Sequence, residues 1–229
     1  MAKIKSDAHL YLTETGDPAP SPVALASVTN ADPALVTLAA AMPADAADGD
    51  IAKFAGTGQV LLDGKAFRIA ALDTTTTPGS PTFELLDFDG TRLSAAVAAG
   101  TVQIFQKAGD LALLEVCMVT ITVAGVPPDA IQMDDMCGST TVLGSPKPPT
   151  FTFTGFVDKD SPGFANLMQA SLESPKTLRY MLVDYTVGGG YIFGPVEIGE
   201  ITITAQTAQG LQFSGTGVFT EMPTYSWAL

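Results

Sequence analysis

Few stretches of the 229-residue chain gather side chains of the kind that do chemistry. His9 is the only histidine. A Ser–His–Asp or Cys–His site needs that base beside a nucleophile. His9 instead precedes Leu10 in a short N-terminal strand pattern, and no G-x-S-x-G turn occurs, so an ordinary surface or core histidine is expected. "MDDMC" (133–137) brings together two carboxylates, two thioethers and a thiol. It mixes hard and soft ligands and has no second cluster at metal-binding spacing, which reads as a solvated loop. "TVGGGYIFG" (186–194) is glycine-rich but lacks the Lys-Ser/Thr and the following helix of a phosphate loop; it reads as a turn between strands. Asp and Glu are spread thinly through turns. The sequence leaves open a carboxylate pair for glycoside hydrolysis, but their ordinary role is solubility. No catalytic, cofactor-binding or metal site is expected, and no enzymatic activity.

Bulk properties narrow the classes further. Hydrophobic residues are 46% of the chain, enough for a real core. No apolar run approaches the roughly 18–20 residues that span a bilayer. "MAKIKSDAHLYLTETGD" has basic residues but no apolar segment behind them, so it is not read as a signal peptide. A protein made and kept in a cytosol, or released by lysis, is the expectation. Cys117 and Cys137 are the only cysteines, and reduced, inert thiols are expected. A formal net charge of −13 argues against a nucleic-acid binder, which needs clustered Lys and Arg to neutralise phosphates. It does not argue against a protein that lets DNA pass without holding it.

The elements that would position any site are mainly strands. Alternation and Val, Ile, Thr and Phe content mark 9–14, 23–28, 34–38, 50–56, 65–72, 82–87 and 101–106, with Asp63-Gly64 as a hairpin-type dipeptide. "TTTTPGSP" (74–81) is a loop, and 91–100 fits one or two helical turns. "LALLEVCMVTITV" (111–123) is apolar at both parities and reads as one strand covered on both faces. Residues 124–149 carry five prolines and no sustained period, a long loop of the kind that is usually either functional or disordered. After the alternating strand 150–157 comes a single helix, about 162–173. Ser161 or Asp160 caps it, Pro162 opens it, and Phe164, Leu167, Met168 and Leu172 form its apolar stripe. Pro175 ends it. Strands at 177–187, 191–207 and 211–222 follow, the long one with a phase slip that predicts a β-bulge at Gly199-Glu200. Trp227, the only tryptophan, packs on the domain edge or on a neighbouring subunit.

The order of these features in the C-terminal half resembles the major tail tube proteins of long-tailed bacteriophages. It comprises the loop ending "MDDMCGSTTVLGSPKPP", the strand "FTFTGFV", the helix "GFANLMQASLESP", then "TLRYMLVDYTVGGGYIFGPVEIGEITITAQT" and the closing "GLQFSGTGVF". Residues 31–108, with "GDIAKFAGTGQVLLDGKAFRIAALD" and "TFELLDFDG", resemble a small β module common in phage structural proteins, although Ala52 replaces a larger β-branched residue. The resemblance implies a mainly β fold: a tail-tube-type β-sandwich or barrel from 1–30 and 109–229 with one flanking helix, and a small inserted β-barrel-like domain at 31–108. It implies a structural virion protein whose subunits form stacked, hexameric rings around a channel for DNA ejection, assembled in the host cytoplasm. Its partners would be further copies of itself, the tape measure, tail tip and terminator proteins, and passing DNA, with no membrane and no cofactor. A head decoration or baseplate subunit, or a carbohydrate-binding adhesin-like module, is the alternative.

Two sets of residues follow. Val126, Ile131, Met133, Met136, Val142 and Leu143 would make the long loop an inter-subunit contact rather than a surface excursion. Glu115, Asp184, Glu197 and Glu200 either face the channel, where carboxylates would let DNA slide, or are ordinary exposed strand residues.

Overall fold

The computed structural model describes residues 8–14, 19–75, 80–108, 113–116, 118–124, 148–185, 189–206 and 210–226. They form a closed six-stranded barrel, a larger eight-stranded sheet and one helix. The mainly β reading with one flanking helix and a small barrel therefore holds.

The barrel is made by β2 (Val23–Val28), β3 (Ala34–Leu38), β4 (Ile51–Ala55), β5 (Ala66–Asp73), β6 (Thr82–Leu86) and β7 (Thr101–Phe105), ordered β2-β3-β6-β5-β4-β7. Its interior holds Val28, Val36, Phe54, Ile69, Phe83 and Val102, each at most 1% exposed. β2 lay outside the 31–108 boundary drawn from sequence, yet it pairs with β3 and β7 and completes the barrel. Asp63-Gly64 is not a two-residue hairpin turn. It ends a longer β4–β5 connection in which the Asp63 carboxylate accepts hydrogen bonds from Thr57 N (2.7 Å), Thr57 Oγ1 (2.7 Å) and Gly58 N (3.1 Å). The helical turns expected at 91–100 reduce to a 3-10 turn, Gly90–Arg92, capped by Asp89.

The larger sheet contains β1 (Ala8–Thr13), β8 (Leu113–Val116), β9 (Met118–Ala124), β10 (Thr150–Phe156), β11 (Arg179–Tyr185), β12 (Tyr191–Gln206), β13 (Gly210–Phe219) and β14 (Thr224–Ser226). The path is β8-β1-β11-β12-β13-β10-β9, with β14 on β12. The chain enters the barrel from β1 and leaves it into β8, and these two strands pair antiparallel, so the barrel is threaded between neighbours.

One connection decides the sheet's shape. β8 and β9 occupy the two ends of the strand order, yet only one residue separates them in the chain. Val116 and Met118 are then within about 7 Å of each other, so the sheet must curl on itself. The stretch expected to be one strand, 111–123, holds two strands with different partners: β8 pairs with β1, β9 with β10. Such switching makes the corners of sandwiches and barrels. The expectation of cover on both faces fails for β9, where Thr120 and Thr122 are exposed while Ile121 and Val123 pack inward.

The curl encloses one core of Leu10, Leu12, Val116, Phe151, Phe153, Val183, Ile198 and Phe213, closed by α1 (Pro162–Leu172). Ser161, not Asp160, caps the helix, its Oγ accepting from Phe164 N at 3.3 Å. At the other end Lys176 Nζ donates to Ala170 O and Ser171 O, satisfying carbonyls left open by the last turn. Phe164 and Leu167 are buried as expected, but Leu172 is 77% exposed. The buried face also contains Gly163, Asn166 and Ala170. At 100° per residue, Leu172 lies about 160° round the axis from Ala170, on the solvent side. Gly163 lets the helix touch the sheet: a Cβ there would stand 1.9 Å from the Glu115 carbonyl oxygen. Buried Arg179 ties helix to sheet by donating to Thr13 O (3.0 Å), Asn166 Oδ1 and Glu173 Oε1 (2.6 Å).

The predicted bulge is present: the β12–β13 register shifts between Ile198 and Ile201. Trp227, Cys117, Cys137, "MDDMC" and the loop residues Val126, Ile131, Met133, Met136, Val142 and Leu143 lie outside the described residues.

Candidate functional site

With its core turned inward, the curled sheet offers an outer surface in two halves. The β1–β11–β12 half is covered by the barrel. Tyr191 and Phe193 of β12 and Leu182 of β11 pack on Ile51, Ala66 and Phe105 of the barrel, all at most 1% exposed. Polar groups lock this seam. Tyr191 OH donates to Ala66 O (2.8 Å), and Lys107 Nζ donates to Asp184 Oδ2 (2.5 Å). Arg68 bonds Asp87 Oδ2 (2.8 Å) and the Gly189 carbonyl, and reaches Asp184 at 3.9 Å. Burial, reinforced by the charges of Glu115 and Asp184, pushes the Tyr11 phenol up to about 12. Burial likewise raises Tyr191. Neither phenol ionises near neutrality.

The other half is open, and it is built of hydroxyls. The alternation of "FTFTGF" and "VTITVA" turns Phe151, Phe153, Ile121 and Val123 into the core and each Thr outward. Strand register aligns the threonines. Thr122 faces Thr152, which faces Thr216; Thr120 faces Thr154, then Ser214, then Thr202. All seven are exposed, as are Thr150 and Thr204. Thr120 Oγ1 and Thr154 Oγ1 are hydrogen-bonded at 2.6 Å. Neighbouring strands stand roughly 4.8 Å apart and same-face residues roughly 6.8 Å apart, so this is a regular grid of short neutral side chains. None of the sequences of β9, β10, β12 and β13 contains Lys or Arg. The glycines of "SGTGVF" make the grid possible: a Cβ on Gly217 would meet the Phe151 ring at 2.1 Å and one on Gly215 the Phe153 ring at 2.5 Å. They let the core phenylalanines lie across β13.

The four acids singled out from sequence do not come together. Glu197, half-buried, and Glu200, exposed at the bulge, stand on β12 in the same half as the hydroxyl grid. Glu115 is on β8, at the far end of the strand path, with Oε1 2.5 Å from His9 Nδ1. Asp184 does not line an open surface; it is 19% exposed and paired with Lys107 in the barrel seam. No protein-family model matches the chain, and neither does any curated protein or solved structure.

His9 has a carboxylate rather than a hydroxyl as its hydrogen-bond partner, and its ring lies 6.3 Å from that of Tyr11. Among the described residues no group of three or more His, Cys, Asp or Glu is gathered for a metal. Among them, too, no helix is long and apolar enough to cross a membrane. The surface with a chemical character of its own is the hydroxyl grid. The carboxylates were the residues singled out from sequence, whereas the T-x-T-x-T of β10 beside the T-x-T of β9 is the signal for the grid.

Proposed function

We propose that this chain is a structural subunit of a long-tailed phage tail tube, assembling with copies of itself into stacked rings, without enzymatic activity, with the hydroxyl grid turned to the channel. The observation that carries this reading is the grid: an exposed sheet surface whose strands carry no Lys or Arg, on the half of the curled sheet that the barrel leaves open. DNA binds proteins chiefly by releasing counterions to Lys and Arg. A wall of threonine hydroxyls gives it hydrogen-bonding water and no cation, so it slides. Glu197 and Glu200 add weak repulsion. Glu115 and Asp184 are assigned no part in the wall.

The barrel, fixed to the other half of the sheet, would then lie on the tube's outside. Tape measure, tail tip and terminator proteins are the partners this reading supplies. Its test is Thr154→Lys with Thr202→Lys. Both positions are exposed, so the subunit should fold and form tubes as before, while DNA release from particles built with it slows at low salt and recovers at high salt. Release at the wild-type rate and salt dependence would defeat the assignment of the grid to the channel.

A further inference from the structure

We draw no further inference here: the strongest candidate, the open cleft of about 450 Å³ over the hydrogen-bonded strands β10, β13 and β12, lined in part by Lys176 and Glu197, is an unpartnered surface, and nothing in the structure shows what covers it.

Discussion

Gly217→Ala tests how the hydroxyl grid is held in place. Gly217 sits in β13 between the exposed Thr216 and Val218, and its missing side chain is replaced by the Phe151 ring. A Cβ would come within 2.1 Å of that ring, so the ring must retreat by more than 1 Å. It has little room. Phe151 is 1% exposed, with ring centroids 6.0 Å from Phe153 and 5.5 Å from Phe219. Overpacking of this kind costs about 1–3 kcal/mol. Replacing a strand glycine by alanine returns about 0.5–1 kcal/mol of backbone entropy. The net expectation is a loss of about 1–2 kcal/mol. With an unfolding entropy of about 2.1 cal/mol/K per residue over 229 residues, Tm falls by about 2–4 °C. The clash account makes a sharper claim in a double-mutant cycle by denaturant unfolding. Phe151→Leu clears the space, so Gly217→Ala should cost at least about 1 kcal/mol less in the Leu background than in wild type. A Gly217→Ala protein as stable as wild type or more so, or effects that add within about 0.5 kcal/mol, would refute the reasoning.

Two further outcomes follow from the same geometry. Arg179→Ala should cost about 3–5 kcal/mol in chemical denaturation, because it strands the Glu173 carboxylate and removes donors from Thr13 O and Asn166 beneath the helix; a loss under 1 kcal/mol would contradict the role given to it. Asp63 is held below its ordinary value of 3.8, first by the Thr57 hydroxyl and then by the N–H groups of Thr57 and Gly58. A depressed carboxyl stabilises the fold fully above 3.8 and loses that contribution as pH falls through the folded value. Asp63→Asn should therefore be less stable than wild type at pH 5, with the gap narrowing as urea melts are taken to lower pH; a pH-independent gap would refute it.

The fold was legible where a side-chain period met a one-sided environment. β10 alternates Phe and Thr because one face is core and the other solvent, and the helix is announced by Ser161, Pro162 and Pro175. The bulge at Gly199-Glu200 was legible as a phase slip between Ile198 and Ile201. What escaped depends on partners distant in sequence. Nothing local tells that β8 and β9, one residue apart, take different partners, since both have strand character. Leu172 was assigned to the buried face because hydrophobicity alone was counted, whereas that face is turned toward Gly163, Asn166 and Ala170, which bury by close approach and by hydrogen bonds to Thr13 and Arg179. Asp184 could not be placed from sequence because Lys107 and Arg68 reach it from elements 77 and 116 positions away. The hydroxyl grid combines both cases: its strands are local patterns, but its alignment is a register among four strands.

The most direct test of the central claim is electron cryo-microscopy of the purified chain assembled at high concentration. The account predicts hollow tubes of stacked rings whose bore is lined by the outward faces of β9, β10, β12 and β13, with the six-stranded barrel on the outside. Closed trimers, or tubes whose bore is lined by the barrel, would contradict it.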